Sequence, residues 1–417
     1  MVTKLSAPLF AQLELTEGCN HSCGYCSNPF ADSRAKKPSI KEIDRALDEL
    51  LANKVFSIVL TGGEPFTNRP VLHHTLDRLS DKPSEVYVNT NLSQELSDKD
   101  IEKLKSVNYV LVSFPSHNKE RFNEIVGSKS YSKVLRNLET LVCEEIPFGI
   151  NQVVTPANYG DVKDTVEFLR KRIGLKEFSA SPVIPSCSKD ITTYSIQPTE
   201  VLELASELIE IEKTMGVKTD MLTFIPPCYF PDNMMHHRLT AHGCSAGRDS
   251  VIISATGELR RCALLGESYG NIQEEGLKEI WSRMQNVEKP RSKECEGCMP
   301  QEYCSGGCEA RANSCGGTDP YIVGLGDNRK LGLYKALKDS EVLTLGKVMY
   351  RKESEGRYLI GHGGSYVVGN KALLDFVGNL EGRKFSFGEV KQDLGDTGAK
   401  LVTYLFNRGL LKVCNLK

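Results

Sequence analysis

Residues 19–26 read CNHSCGYC and follow directly on the alternating segment Leu13–Leu15. The spacing Cys19-x3-Cys23-x2-Cys26 therefore lies on a loop after a predicted strand, and in α/β barrels the loops at the carboxyl ends of the strands carry the active site. Three thiolates can hold three irons of a 4Fe–4S cluster and leave the fourth iron open to another ligand. A zinc site would need a fourth protein ligand or a water. The spacing favours an iron–sulfur cluster, with zinc as the alternative.

Strand-like and helix-like segments alternate through the first 218 residues. Ser39 and Glu42 form a capping box that predicts the start of a helix. A helix predicted from about residue 199 to 215 closes this region. Six strands alternating with helices predict an α/β fold with a parallel sheet, left open or partly closed as a partial (β/α)6 TIM-like barrel. The six predicted strands contain Leu13–Leu15, Val55–Leu60, Val86–Asn89, Tyr109–Phe114, Ile150–Val154 and Phe178–Pro182.

Glycine and polar residues follow the next predicted strands at their carboxyl ends. Residues 61–65 read TGGEP, where the glycines let backbone approach a ligand closely and Glu64 supplies an acceptor. Asn89 and Ser113 end the third and fourth strands. Polar residues at strand ends often do no more than satisfy backbone groups, so a ligand contact and a structural role both stay open for these two.

The cysteine spacing, with Tyr25 before the third cysteine and the GGEP motif of residues 62–65, resembles the radical S-adenosylmethionine (radical SAM) superfamily. The resemblance covers roughly residues 9–220. It implies that a 4Fe–4S cluster chelates SAM through its open iron and is held by Cys19, Cys23 and Cys26. The implied chemistry is reductive cleavage of SAM to a 5′-deoxyadenosyl radical, which abstracts a hydrogen from an unactivated substrate carbon.

The same resemblance implies where SAM is bound. The GGEP motif contacts the amino group of the SAM methionine in this family, which assigns that contact to Gly62, Gly63, Glu64 and Pro65. Polar contacts to SAM fall on Asn89 and Ser113. Many relatives place an acidic residue two positions after the serine, whereas this chain has Pro115 there.

Eight further cysteines lie between residues 228 and 315, in a region rich in glycine and poor in long periodic segments. Such a region needs something other than an apolar core to hold it together, and metal would serve. The spacing Cys295-x2-Cys298-x5-Cys304-x3-Cys308 brings several thiolates onto tight turns. Residues 251–254 and 259–262 predict a hairpin, and 277–284 predict a short helix. Iron–sulfur clusters and a pair of zinc sites are both compatible with the spacing alone.

This pattern, with GNI at 270–272 and EIW at 279–281, resembles the SPASM domain of peptide- and protein-modifying radical SAM enzymes. That domain carries two auxiliary iron–sulfur clusters, expected here as 4Fe–4S. The resemblance assigns one cluster to Cys244, Cys262 and Cys308, with Cys228 as a plausible fourth ligand. It assigns the other to Cys295, Cys298 and Cys304, with Cys315 as the fourth ligand. The family's last cysteine commonly follows an Asp-Pro pair, but Asp319-Pro320 is followed here by Tyr321.

The last segment, residues 345–417, has predicted strands followed by predicted helices, an order that resembles winged helices and RiPP recognition elements. The latter capture the leader of a ribosomally made precursor peptide by strand addition. A DNA-binding role and a purely structural role are the alternatives. Residues 347–414 carry 11 basic and 7 acidic residues, but the last helix has only Lys400 and Arg408, too few for a recognition helix. The predicted elements are 348–350, 358–360, 366–368, 371–380, 386–394 and 397–410.

The composition of the whole chain bears on which partners and which compartment are expected. The chain has 417 residues with 52 basic and 54 acidic side chains, a net charge of −2, so nothing in it favours nucleic acid or an anionic membrane as a partner. It shows no signal peptide and no apolar run of membrane-spanning length, which predicts a cytoplasmic protein. In that compartment clustered cysteines more often bind metal than form disulfides. Among the remaining cysteines, Cys143 is expected in the core, and Cys187, after the sixth strand, could touch substrate as a hydrogen-atom donor or only fill a loop.

The sequence thus predicts a radical SAM barrel (1–218), an irregular SPASM domain (219–325) and a small winged-helix-like α+β domain (345–417). The predicted function is a radical SAM peptide maturase that uses SAM, a SAM-binding cluster and two auxiliary clusters, with a precursor peptide and a flavodoxin or ferredoxin-type electron donor as partners. Enzymatic alternatives are oxidation of a protein side chain, as in sulfatase maturases, and haem or cofactor biosynthesis. The non-enzymatic alternative is a zinc-stapled winged-helix DNA-binding regulator.

Overall fold

The structure, a computed structural model, describes residues 4–27, 35–185, 192–231, 234, 237, 239, 243–287, 292–296, 298, 304, 306–323, 337–362 and 365–414. The chain divides into two compact units, and the second contains Gly332–Lys417. None of the described helices is both long and apolar enough to cross a membrane.

Within the described residues, one sheet of nine strands forms the centre of the first unit, in the order β7-β6-β5-β4-β3-β2-β1-β8-β9. Strands β1 to β6 stand side by side in sequence order, and β1 pairs in parallel with β2. The neighbouring pairs from β3 to β7 are also parallel. The partial barrel predicted from the alternation is confirmed. The strands are β1 Phe10–Glu14, β2 Ser57–Thr61, β3 Glu85–Thr90, β4 Tyr109–Ser113, β5 Phe148–Val154, β6 Glu177–Pro182, β7 Lys218–Asp220, β8 Ser250–Ile253 and β9 Leu259–Arg260.

Helices connect the barrel strands and bury one apolar face each. In the first helix the Ser39 side chain accepts from the Glu42 backbone and the Glu42 side chain accepts from Ser39, so the predicted capping box is confirmed. Apolar residues four apart, such as Ile43 and Leu47, are at most 2% exposed on this helix. The helices of the first unit are α1 Ile40–Ala52, α2 Arg69–Leu79, α3 Asp98–Leu104, α4 Lys119–Val126, α5 Tyr131–Cys143, α6 Val162–Ile173, α7 Pro198–Met215, α8 Leu277–Gln285 and α9 Glu309–Ser314.

The cysteine-rich segment after the barrel is joined to the barrel sheet. Strands β8 and β9 form the predicted hairpin, and β8 also pairs in parallel with β1, with Phe10 opposite Ser250. The indole of Trp281 on α8 is fully buried and donates to the backbone oxygen of Leu5 at 2.9 Å. The segment predicted as a separate irregular zone therefore extends the barrel sheet beyond β1.

The second unit is a small α+β domain, as predicted. Two three-stranded antiparallel sheets have the orders β14-β10-β15 and β11-β12-β13. They pack with two helices around residues such as Leu343, Ile360, Val377 and Val402. Its elements are β10 Val342–Thr344, β11 Met349–Lys352, β12 Tyr358–His362, β13 Ser365–Gly369, α10 Lys371–Leu380, β14 Lys384–Ser386, α11 Phe387–Asn407 and β15 Lys412–Val413.

Helix α11 contains a break at Gly395, whose φ of 60° and ψ of −160° are not helical. Only glycine adopts that conformation without strain. The break explains why the sequence predicts two separate helices here. The strands β10, β14 and β15 were not predicted, because segments of two or three residues show no readable alternation.

Candidate functional site

The first cysteine cluster lies on the loop after β1, at the carboxyl edge of the parallel sheet. The backbone N–H of Cys26 donates to the oxygen of Cys23 at 3.1 Å, which makes the turn between these two residues. The pKa of Cys19 is raised to about 11 and that of Cys23 to about 12, chiefly by burial and in smaller part by the neighbouring thiols. Three thiols gathered in a site that disfavours negative charge fit a cationic metal cluster, because bound metal stabilises thiolates.

The cysteine loop is braced against the barrel by His21. This side chain is 6% exposed, and its Nε2 lies 2.9 Å from the hydroxyl of Ser130 on the loop before α5. Burial lowers the pKa of His21 to about 4, so the imidazole is neutral and structural near neutral pH. The Ser22 N–H donates to the Val126 oxygen at 3.0 Å and adds a second brace.

The two glycines after β2 let this loop pack directly on the cysteine loop. The Gly63 N–H donates to the oxygen of Thr16 at 2.7 Å, and the Glu64 N–H donates to that of Gly18 at 2.8 Å. A Cβ on Gly63 would lie 2.1 Å from the Gly18 oxygen, and one on Gly62, whose φ is +136°, would lie 2.3 Å from the Thr16 oxygen. The glycines are thus required for contact between the two loops, whether or not a ligand is present.

The carboxylate of Glu64 is directed into the protein. The side chain is 1% exposed, and its Oε1 accepts from Phe66 N at 3.1 Å and from Thr90 Oγ1 at 2.8 Å. Its Oε2 accepts from Asn91 N at 2.6 Å. Burial raises the pKa of Glu64 to about 7, although these three hydrogen bonds oppose the shift. The side chain that the sequence presents as a ligand acceptor therefore links the loops after β2 and β3.

The neighbouring Pro65 opens a short 3-10 helix, Pro65–Asn68, and is buried. Asn89, on β3, lines a cavity of about 320 Å³ in the barrel interior, together with Gln12, Tyr87, Tyr109 and Ser179. Ser113 is the last residue of β4 and is half-buried. These predicted SAM contacts thus fall on three adjacent strands of the barrel.

One end of the same cavity is formed by the first residues of three strands. The hydroxyl of Tyr109 donates to Glu177 Oε2 at 2.8 Å, and Lys218 Nζ lies 3.1 Å from Glu177 Oε1. The carboxylate raises the pKa of Tyr109 beyond the effect of burial alone. This bonded group lies toward the amino ends of the strands, opposite the edge that carries the cysteine loop.

Three of the auxiliary cysteines are brought together in the first unit. Cys308 is buried with Leu265 and Ala310, and Cys262 packs against this cluster. The pKa of Cys308 is raised to about 11, chiefly by burial and in smaller part by Cys244, while Arg311 opposes the shift. Cys244, Cys262 and Cys308, the set that the SPASM resemblance assigns to one cluster, therefore lie near one another.

The second set, Cys295, Cys298 and Cys304, is also gathered. The Cys298 N–H donates to the Cys295 oxygen at 3.2 Å, and burial raises the pKa of Cys304 to about 11. Cys228 contributes to the raised pKa of both Cys298 and Cys304. It thus lies within electrostatic reach of this set, whereas the sequence pattern groups it with Cys244.

The two remaining candidates, Cys228 and Cys315, differ in exposure. Cys228 is 8% exposed, and its Sγ donates to the Tyr321 oxygen at 3.8 Å. Cys315 is exposed at the end of α9. Cys143, expected in the core, is exposed as the last residue of α5, where the apolar face of the helix ends. Cys187 lies outside the described residues.

An ion pair with a buried arginine braces the cysteine set that contains Cys308, and it was not predicted from the sequence. Arg261 donates to the carboxylate of Glu309 through Nη1 and Nη2, each at 2.8 Å, and the Arg261 side chain is 3% exposed. These residues are the immediate neighbours of Cys262 and Cys308, so the pair ties the two cysteine positions together. Charged residues next to predicted ligands are the signal that could have drawn attention to them.

Among the described residues, no three His, Cys, Asp or Glu side chains converge closely enough to bind a single metal ion.

Two family models match this chain. The model described as the radical SAM superfamily matches residues 13–169, and the model described as the SPASM iron–sulfur cluster-binding domain matches residues 244–299. The partial barrel and its cysteine loop define the class of this protein, an enzyme with an iron–sulfur cluster in a barrel. The chain belongs to the radical SAM superfamily and carries a SPASM domain. Its cofactors are accordingly SAM, a 4Fe–4S cluster and auxiliary iron–sulfur clusters.

Curated relatives cover about three quarters of the chain. The chain is 26% identical over 350 residues to the AdoMet-dependent heme synthase of Methanosarcina barkeri. The matched region covers 78% of this chain and 98% of that protein. It is 28% identical over 337 residues to the antilisterial bacteriocin subtilosin biosynthesis protein AlbA of Bacillus subtilis, and the match covers 77% of this chain and 69% of AlbA. It is 25% identical over 344 residues to the PqqA peptide cyclase of Granulibacter bethesdensis, covering 76% and 88%.

Solved structures share the fold. SuiB of Streptococcus suis bound to S-adenosylmethionine superposes with a TM-score of 0.61 at 19% identity, covering 76% of this chain and 78% of that one. The enzyme anSMEcpe with bound AdoMet superposes with a TM-score of 0.56 at 18% identity, covering 76% and 89%. At these identities the likeness is one of fold.

Proposed function

We propose that the protein is a radical SAM peptide maturase that modifies an unactivated carbon of a ribosomally made precursor peptide. The observation that carries the proposal is a SPASM domain built onto the sheet of a radical SAM barrel, through the parallel pairing of β8 with β1. Two relatives that match about three quarters of this chain are named for work on peptides, a bacteriocin biosynthesis protein and a peptide cyclase.

When bound, the cluster and SAM supply a 5′-deoxyadenosyl radical that abstracts hydrogen from the substrate. The residues proposed to hold the cluster are Cys19, Cys23 and Cys26. Gly62 and Gly63 fix the two loops that border SAM, and Asn89 and Ser113 are proposed as polar contacts to it. A flavodoxin or ferredoxin-type protein of the cytoplasm is the proposed electron donor.

For the auxiliary clusters we propose two cysteine sets. One consists of Cys244, Cys262 and Cys308, whose positions Arg261 and Glu309 tie together. The other consists of Cys295, Cys298 and Cys304. Cys228 is the better candidate for the fourth ligand of the second set, because it is buried and acts electrostatically on two of its members. Cys315, the candidate from sequence, is exposed.

The C-terminal α+β domain is proposed to bind the leader of the precursor peptide. Strands β11 and β13 stand at the two edges of their sheet, and sheet edges are where an extended peptide can add as a further strand. Residues 347–414 carry a net charge of 11 − 7 = +4, which favours an acidic leader. Deleting residues 347–417 should abolish peptide binding while the barrel keeps its irons.

The direct test is co-expression with a short open reading frame found beside the gene, followed by mass spectrometry of the peptide. A mass change that requires residues 19–26 intact supports the proposal, with Cys23→Ser as the inactive control. SAM cleavage without any change in the peptide, in anaerobically purified enzyme supplied with a reductant, would contradict it.

Haem biosynthesis is the second candidate, favoured by the match to the heme synthase of Methanosarcina barkeri. That match covers 98% of the relative but 78% of this chain. The matches to the two relatives named for peptides cover similar shares of this chain, 77% and 76%, so the substrate has to separate the two candidates. Consumption of a tetrapyrrole by the purified enzyme would instead support the haem reading.

A further inference from the structure

Asn91, the residue after β3, has a side chain whose polar atoms are fully used. The residue is 9% exposed, and its Nδ2 lies 3.7 Å from the Sγ of Cys19 and 3.0 Å from Oδ1 of Asn20. Its Oδ1 accepts from both the backbone N–H and the hydroxyl of Ser93, at 3.0 and 2.7 Å. The amide thus bridges the loop after β3 and the cysteine loop.

The orientation of this amide follows from its partners. The backbone N–H of Ser93 can only donate, so the oxygen of Asn91 must face it and the NH2 group must face Cys19. The backbone of Asn91 is fixed too, since its N–H donates to Glu64 Oε2 at 2.6 Å and Glu64 is held by Thr90 and Phe66. The carboxylate of the GGEP motif therefore determines where the Asn91 amide points.

A hydrogen bond to a cluster sulfur stabilises the more negative, reduced state of the cluster and so raises its reduction potential. The effect is larger at a buried sulfur, because few waters can substitute for the donor. Cys19 receives one further donor close by, the N–H of His21 at 3.4 Å. We propose that Asn91 is a positioning residue that donates a hydrogen bond to the Cys19 sulfur and raises the reduction potential of the cluster that Cys19 holds.

The role depends on Cys19 being a cluster ligand and is independent of the peptide substrate. It predicts a change in potential rather than in the ability to bind SAM or peptide. If the peptide proposal failed, the proposed role of Asn91 would still stand. Failure of the Asn91 proposal would likewise leave the peptide proposal unaffected.

The experiment is a redox titration of the full-length, anaerobically reconstituted enzyme, followed by EPR. The SAM-binding cluster is identified as the signal that changes on addition of SAM. In Asn91→Leu, the ratio of reduced to oxidised cluster at a fixed potential should fall about fivefold, as expected for the loss of one ordinary hydrogen bond.

The matched control is Asn137→Leu. Asn137 is 7% exposed and donates from Nδ2 to the oxygens of Leu92 and Gln94, at 2.8 and 2.7 Å. It holds the same loop without a contact to the cysteine, so its substitution should leave the ratio unchanged. An equal fall in both variants would mean that loop position, not the hydrogen bond, sets the potential, and would overturn the proposal.

A second variant covers the case in which Asn91→Leu fails to assemble the cluster. Asn91→Asp keeps the oxygen that Ser93 requires, but it replaces the N–H donors with a second carboxylate oxygen and its negative charge. The ratio of reduced to oxidised cluster should then fall at least as far as in the leucine variant. A ratio equal to or above that of the unmodified enzyme, in either substituted protein with full iron content, would overturn the proposal.

Discussion

Arg311 and Asp319 form a bidentate ion pair inside the auxiliary domain, with Nε 2.7 Å from Oδ1 and Nη2 2.7 Å from Oδ2. The two side chains are 4% and 0% exposed. The carboxylate also accepts from the Cys308 N–H at 2.6 Å and from the Tyr321 N–H at 3.1 Å, and the guanidinium lies 4.2 Å from the centre of the Tyr321 ring. Since water cannot reach either charge, each depends on the other and on these donors.

Replacing one partner of this pair should be costly. Asp319→Asn leaves the Arg311 charge buried and weakens the bond to Cys308, so we expect a loss of about 3–5 kcal/mol in the free energy of unfolding. We also expect fewer irons per chain, because Cys308 is a proposed ligand. Urea denaturation and iron analysis of the anaerobically purified variant measure the two effects.

The control for this prediction is an exposed pair of the same geometry. Arg283 donates to Glu275 through two bonds of 2.8 Å, but the side chains are 47% and 38% exposed. Glu275→Gln should therefore change the free energy of unfolding little and leave the iron content intact. If Asp319→Asn behaves like Glu275→Gln, the buried pair does not support the cluster site.

Cys228 and Cys315 should respond differently to substitution. Cys228 is buried beside the Cys295, Cys298 and Cys304 set, so Cys228→Ser should lower the iron content and change the EPR signal of one auxiliary cluster. Cys315 is exposed, so Cys315→Ser should keep the iron content and the EPR signal of the unmodified protein. The opposite pattern, with iron lost only in the Cys315 variant, would restore the grouping suggested by spacing.

The close approach of two loops makes Gly63 intolerant of a side chain. A Cβ there would lie 2.1 Å from the Gly18 oxygen, a backbone atom that cannot move aside without displacing the cysteine loop. Gly63→Ala should therefore lose the SAM-binding cluster or fail to fold. Gly160→Ala is the control, because nothing lies within 4 Å of its Cβ position. Iron content and the yield of folded protein compare the two, and equal behaviour would refute the packing argument.

Glu64 should give the protein a distinctive pH dependence. Burial raises its pKa from 4.5 to about 7, so the folded protein keeps a proton that the unfolded chain has already released. The stability from this group is complete below pH 4.5 and is lost as the pH rises through 7. The difference between the pKa of Glu64 in the folded and the unfolded protein corresponds to on the order of 3 kcal/mol in the free energy of unfolding. Glu64→Gln does not titrate, so its stability relative to the unmodified protein should rise by about that much between pH 4.5 and 8.

The measurement is a pair of denaturation curves at pH 5 and pH 8 for each protein. Glu42→Gln is a useful control, because hydrogen bonds from Ser39 lower the pKa of Glu42 and move its titration below pH 4.5. Its stability relative to the unmodified protein should be the same at both pH values. A constant difference for Glu64→Gln as well would show that Glu64 is ionised across the range.

The features that the sequence predicted correctly are those that depend on residues close together in the chain. The apolar segments at 55–60 and 109–114 predicted β2 and β4 within two or three residues, and the capping box at Ser39 predicted the start of α1. The cysteine spacing at 19–26 marked the loop after β1, whereas the spacing at 295–308 did not separate Cys308 from Cys295, Cys298 and Cys304. Each depends on residues a few positions apart, whose geometry is set by the helix or strand they belong to.

The features that sequence did not reveal join distant positions. The sequence suggests Glu64 as a ligand acceptor, but its oxygens accept from Thr90 at the end of β3, from Asn91 just after it and from Phe66. Thr90 and Asn91 are 26 and 27 positions away along the chain. Arg261 and Glu309 are 48 positions apart. A single sequence can draw attention to such residues but does not show which of them pair, because the pairing is decided only when the chain has folded.

The parallel pairing of β8 with β1 has a consequence for engineering. A chain cut between the barrel and the cysteine-rich segment would leave the outer edge of β1 without the strand that covers it, and bare strand edges invite aggregation. The loop that carries Cys19 begins at the end of that same strand. Exchange of auxiliary domains between relatives should therefore place its junctions outside the segment from β8 to β9, so that the strand is inherited with the barrel it completes.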